Sequence, residues 1–308
     1  MKIAASLTVL VCLGLASCTS TQRQKRLSAN LERTAATLAQ REDADSLAAA
    51  ALLLLPARGE AQALLAKATA LAPERADLAW LNTQICAIGE GCDRNAAQAR
   101  FRAADPDNGV GWMADMGAPM LAGQEQEVDR LLGLIGSSAR VDIYWNPLIN
   151  RLAGTAMNAN TVTAPEALVA VIGELAAVSI PAYQGVVRAC RGDALLREGR
   201  RALCQAVATR LQQGDTVITE NVATSMAKNL WPEGSPEALA AMETRRVTRY
   251  RMEISSKISL DALSNEKRVR SYMDLLAHNR REQDLMLAEV VAAKRNPDPP
   301  AEWVDPSR

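Results

Sequence analysis

Ser225 and Lys228 stand three residues apart, so a helix would place a hydroxyl and an amine on neighbouring turns of one face. At that spacing a lysine whose pKa is lowered by desolvation can take the proton of a nucleophilic serine. With Ile218, Val222, Met226 and Leu230 as the apolar face, however, Lys228 is expected to project into water as an ordinary cation. His278 is the single histidine. Continuing the helix from Val269 at about 100° per residue sets it opposite the apolar stripe, on the solvent side. A Ser-His-Asp triad or an HExxH zinc site would depend on this one residue. Arg245, Arg246 and Arg249 edge one helix and could grip carboxylates or lipid phosphates. Glu253 stands four residues after Arg249, so a solvated face with internal ion pairs is expected instead. No metal, phosphate or nucleotide motif has convincing context, and the sequence implies neither a cofactor nor catalysis.

The N-terminus shows Lys2, an apolar run from Ile3 to Leu15, and the small residues Ala16 and Ser17 before Cys18. This run falls short of the roughly 20 residues that cross a bilayer, so it predicts a secretory signal over residues 1–17. Leu15-Ala16-Ser17-Cys18 resembles the bacterial lipoprotein signal, in which the cysteine is acylated and becomes the first residue of the mature protein. At about 0.8 kcal/mol per buried methylene, several acyl chains hold a protein in a membrane effectively permanently. Thr19 is not the aspartate that the enteric lipoprotein pattern associates with inner-membrane retention. The resemblance therefore implies the periplasmic face of the outer membrane rather than the inner membrane.

The 308 residues are 48% apolar, enough for a sizeable core, and only 3% aromatic, which suits closely packed helices. Net charge is zero, which gives no reason to expect a nucleic-acid partner. In an oxidising periplasm Cys86, Cys92, Cys190 and Cys204 are expected to form disulfides. Four cysteines allow three pairings. The local one, Cys86 with Cys92 and Cys190 with Cys204, asks least of the chain, and each bridge would contribute roughly 2 to 3 kcal/mol. Zinc is disfavoured, because the spacings are not CxxC and there is one histidine.

Thr19 to Arg26 reads as a polar tether, and Leu27 to Leu55 as helix formers ended by Pro56 and Gly59. Ala61, Leu65, Ala68 and Pro73 then have the small, large, small, proline spacing of the second helix of a tetratricopeptide repeat. Pro106 follows Pro73 by one repeat length, and Trp112 stands after it much as Trp80 stands after Pro73. Gly123 falls at a helix turn, and Val128, Leu131, Leu132 and Ile135 make a helical stripe. From about Ala57 to Ile135 the chain resembles degenerate tetratricopeptide repeats, with departures at Phe101 and Asp115. This resemblance implies that Gly89 and Gly91 turn a hairpin that Cys86 and Cys92 bracket, and that Trp80 and Trp112 mark a partner-binding concave face.

Gly154 to Pro165 lacks apolar periodicity and predicts a boundary, after which helical stripes resume through Leu168, Val171, Ile172 and Leu175, and later Val269, Tyr272, Met273 and Leu276. The expected organisation is a signal (1–17), a lipidated tether (18–26), a TPR-like domain (27–154), a less regular helical domain (155–296) and a proline-rich extended tail (297–308). The expected fold class is all-α, an array of antiparallel helical hairpins forming a TPR-like α-solenoid that is irregular in its C-terminal half. Such arrays bind peptides and proteins. The expectation is a non-catalytic scaffold for an envelope protein or peptide, in envelope assembly or cell-wall maintenance. The alternative is an envelope serine hydrolase. Ser225 and Lys228 are similar to the S-x-x-K of penicillin-binding proteins and serine β-lactamases, but the chain shows no K-T-G-like strand to accompany them.

Overall fold

The computed structural model describes residues 22–305 apart from 23, 56, 179 and 263–264. Those residues are all-α, and their single β-bridge is an isolated pair, Asn108 with Arg140. The signal, Cys18 and most of the expected tether lie outside the described residues. Helix α1 spans 24–39, so it begins inside the stretch expected as a tether. The helical run expected from Leu27 to Leu55 is two helices, because Asp43 caps α2 (Ala44–Leu53) by accepting from the Ser46 amide at 2.8 Å. An aspartate that caps one helix ends the one before it.

Helices α3 (Arg58–Leu71), α4 (Ala76–Ile88) and α5 (Arg94–Ala104) follow, each packed on its predecessor. Ala61, Leu65 and Ala68 are fully buried on α3, facing the alanine-rich α2. Cys86 and Cys92 are bonded across the α4–α5 turn, with Cα atoms 5.5 Å apart. Gly91 supplies the positive φ of 76° that this turn needs. Short helices α6 (Val110–Met113) and α7 (Gly117–Leu121) lead to α8 (Glu125–Ser137), whose Val128, Leu131, Leu132 and Ile135 are all buried.

One helix stands at the centre. Helix α9 (Trp145–Met157) packs on α2, on α10 (Ala164–Val178) and on α15 (Glu266–His278). The stretch expected as a boundary contracts to the turn 158–163, since Gly154 lies within α9 and Pro165 within α10. Thr34 of α1 and Thr161 of that turn hydrogen-bond at 2.6 Å, and one connected apolar core runs from Ala35 to Leu285.

The rest of the chain packs outward from α8. Helix α11 (Tyr183–Ala189) is tied to α12 (Arg200–Gln212) by the buried Cys190–Cys204 bond, and α12 lies on α8. A Cβ on Gly136 would sit 3.0 Å from the Ala206 Cβ, so glycine sets how closely α8 and α12 approach. Helices α13 (Val217–Leu230), α14 (Pro236–Ala262) and α16 (Glu282–Ala292) complete the layer.

The stretch expected as an extended tail lies along α14 over its described residues, up to Asp305. Arg251 Nε donates to the Pro297 carbonyl at 3.1 Å, and Arg246 Nη1 to the Pro300 carbonyl at 3.2 Å. Trp303 meets Tyr250 edge to face at 5.5 Å. Among the described residues no single helix is long and apolar enough to cross a membrane; α10 and α11, bent by 42°, pass that test only as a pair.

Candidate functional site

Ser225 and Lys228 are both exposed on α13. The helix is rotated from the expected stripe. Val217, Glu220, Ala223, Thr224 and Ala227 are buried together with Met226 and Leu230, whereas Ile218 is 50% exposed. The short and polar residues of this face fit between α12 and α14, where periodicity of large apolar residues alone does not point. His278 is exposed at the end of α15, its Nδ1 2.7 Å from the Asp274 carbonyl. Arg246 pairs with Glu243, and Glu253 pairs with Lys257 at 2.9 Å rather than with Arg249. Among the described residues no cluster of three His, Cys, Asp or Glu side chains is arranged to hold a metal ion.

Trp80 is a core residue, 2% exposed, with its ring 5.4 Å from that of Phe101. Trp112 is half-buried beneath the Arg102 guanidinium, which lies 4.7 Å above its ring and also pairs with Asp115. Of the two tryptophans expected on a binding face, only Trp112 keeps a surface of its own.

Three cavities touch the segment from Ile180 to Tyr183. One cavity of about 580 Å³ has apolar walls of Met113, Met120, Leu121 and Ile180, with Arg188 at its edge. A second of about 350 Å³ shares Ala114, Ile180 and Ala182 with it and continues past Trp80, Thr83, Arg94 and Gln98. Close packing of α11 on the α6–α7 segment creates this geometry: a Cβ on Gly185 would fall 2.6 Å from the Met116 Cβ. Leu121 and Ile180 remain 88% and 58% exposed at the mouth.

The polar groups here are incompletely used. Thr83 Oγ1 donates to the Trp80 carbonyl, and Gln98 Nε2 to the Gly111 carbonyl. Trp80 Nε1 is buried with no hydrogen-bond partner. Arg94 and Arg188 are exposed and enter no ion pair among the described residues. A buried donor left unmade costs about 1–3 kcal/mol, so this wall favours an acceptor-bearing occupant.

Next to these cavities four interhelical loops converge on a buried acidic junction. Asp215 Oδ1 and Oδ2 accept from the backbone amides of Ile143 and Trp145 at 3.0 and 3.1 Å. Asp142 accepts from the Tyr144 amide at 2.7 Å and from Arg280 Nε at 2.6 Å, and it neighbours Asp215. Asp105 takes the Tyr144 hydroxyl and Arg140, while Asn108 joins Asp105 to the Asp142 backbone. Tyr144 occupies the left-handed region at φ 59°, an uncommon position for a bulky residue that this bonding sustains. Burial, and then the neighbouring Asp142, push the Asp215 carboxyl well above its ordinary pKa. Burial raises Glu282 as well, whose carboxylate receives the Val217 amide. Ile143, Trp145, Thr216 and Glu282 wall a smaller cavity of about 130 Å³ that also touches Ile180 and Tyr183.

Comparison with known proteins leaves the chain without a counterpart. No family model, curated protein or solved structure matches it. Sequence reasoning missed Asp142 and Asp215 as site-forming residues. Thr216 caps α13, and Asp215 beside it turns to the opposite loop. The alternation Val141-Asp142-Ile143 was the available signal, since it sets one acid between two apolar residues outside any helix. Chemically, the larger cavity offers an apolar wall and the second a mixed one, each with a guanidinium group, Arg188 and Arg94, that enters no ion pair among the described residues.

Proposed function

We propose that the protein is a non-catalytic interaction scaffold, anchored through an acylated Cys18 to the periplasmic face of the bacterial outer membrane. In this proposal its first half is a degenerate TPR-like array, and it serves envelope assembly or cell-wall maintenance by holding a partner protein or peptide. The observation that carries the binding role is the pair of joined cavities at Ile180. The larger is walled by Met113, Met120, Leu121 and Ile180, Trp80 Nε1 lacks an acceptor, and Arg94 and Arg188 enter no ion pair among the described residues. The partner is an extended apolar segment bearing a carboxylate, whose charge complements the two guanidinium groups.

Photo-crosslinking in the native envelope tests this. A crosslinker at Leu121 or Ile180 should give one discrete adduct that Arg94→Glu with Arg188→Glu abolishes, while a crosslinker at exposed Leu196 should not. Adducts of equal yield at all three positions would defeat the proposal. For the anchor, acyl mass should be present on the natural protein and absent from Cys18→Ser.

A further inference from the structure

Residues 296–305 cross α14 in an orderly way. Arg251 meets Pro297 and Asp298, Arg246 meets Pro300, Tyr250 meets Trp303, and Arg245 meets Asp305. Two of these contacts are guanidinium donors on carbonyls of prolines. Proline has a fixed φ and no amide donor, so a proline-rich segment loses little entropy on docking and leaves carbonyls for such donors; the Pro300 carbonyl also closes a turn by accepting the Trp303 amide at 3.0 Å. The charges are complementary. The tail segment carries Asp298, Glu302 and Asp305, and the helix offers Arg245, Arg246 and Arg251.

The attachment is polar and shallow. Asp298 is 75% exposed, its contact with Arg251 is 3.4 Å, and Val304 points away from the core. Pro299 and Asp305 are buried and Pro297 and Trp303 half-buried, but none of them belongs to the connected apolar core.

We infer that the α14 face bearing Arg245, Arg246, Tyr250 and Arg251 is a docking surface for an extended, proline-rich, acidic partner segment. The protein's own tail is its resident occupant. A partner of the same chemistry binds by displacing the tail, which acts as a competitor in cis. This surface is separate from the cavities at Ile180 and does not depend on the role proposed for them.

The test uses the full chain and a fluorescently labelled peptide of sequence 296–305. Trp303→Ala with Asp305→Ala weakens the resident tail. That variant should bind the peptide saturably and at least about tenfold more tightly than the wild type, because the competing intramolecular ligand has been loosened. Adding Arg246→Ala and Arg251→Ala should abolish binding. A peptide with its prolines replaced by alanine should bind more weakly. Circular dichroism shows whether each variant keeps its helices. If a tail-weakened chain with native helicity fails to bind, or binding survives loss of both arginines, or the wild type binds equally well, the inference is wrong. A wild-type dimer that disappears in the tail-weakened chain would also overturn it, by making a second copy's tail the occupant.

Discussion

Asp142 stands beside Asp215 inside the protein, where Asp215 receives the amides of Ile143 and Trp145. Burial and Asp142 raise the Asp215 pKa, so the folded chain holds this proton more tightly than the unfolded chain. The associated stability is complete below about pH 4, the unfolded value, and is lost as pH rises through the raised native pKa. Arg280 and Arg281 face the junction and temper the loss, while Glu220 and Glu282, raised by burial, add to it with the same sign. Chemical denaturation at a series of pH values should show stability falling on the alkaline side. Asp215→Asn should flatten that fall, at a cost of about 1–3 kcal/mol at low pH from one amide left without an acceptor. An unchanged slope would remove Asp215 from the account.

Arg200 is buried on α12 and donates to Asp129 at 2.5 Å, to Glu125 at 2.7 Å and to the Ala189 carbonyl at 3.3 Å. It therefore binds α8 to the end of α11. Breaking a buried pair costs about 3–5 kcal/mol, and because both carboxylates keep access to water, Arg200→Ala should lie near about 2–3 kcal/mol. Urea unfolding measures it. Arg200→Met should lose less, since it retains the packing volume.

Gly185→Ala should cost about 1–3 kcal/mol through overpacking against Met116. It should also shift the α11 wall of the larger cavity and reduce crosslinking from Leu121. Gly173→Ala serves as a control, because nothing lies within 4 Å of the added Cβ. Thermal unfolding of the two variants should separate them by several degrees for a chain of this size.

The two disulfides should differ in their reactivity. Cys190 and Cys204 are both buried, whereas Cys92 is half-exposed in the α4–α5 turn. Thiol exchange needs access to a sulfur, so mild reductant should open Cys86–Cys92 first and leave the second bond until the protein unfolds. Timed alkylation and peptide mapping would decide this. Simultaneous loss of both bonds would contradict it.

Much of the helical layout was legible because large apolar residues at helical spacing report burial directly. Val128, Leu131, Leu132 and Ile135 did so on α8, and Leu168, Val171 and Leu175 on α10. The cysteine spacing likewise pointed to the two pairs that lie at bonding distance. The break at Asp43 was hidden because a single cap decides it within a stretch of strong helix formers. On α13, buried Glu220 and Thr224 count as surface residues in any hydropathy pattern, so the face was misplaced. Asp142, Asp215 and the docked tail are settled by partners far away in sequence, which local periodicity does not register.

The central position of α9 sets a timetable for folding. Asn146, in its first turn, donates to the carbonyl of Asn279, 133 residues later, and Arg280 reaches back 138 residues to Asp142. In a chain that reaches its compartment N-terminus first, the apolar face of α9 stays uncovered until α15 arrives. During that interval the hairpins from α2 to α5 can pair locally, but the centre stays open. A chain truncated before residue 266 should therefore be protease-sensitive at α9 and attractive to holdase chaperones, even though its first helices have formed.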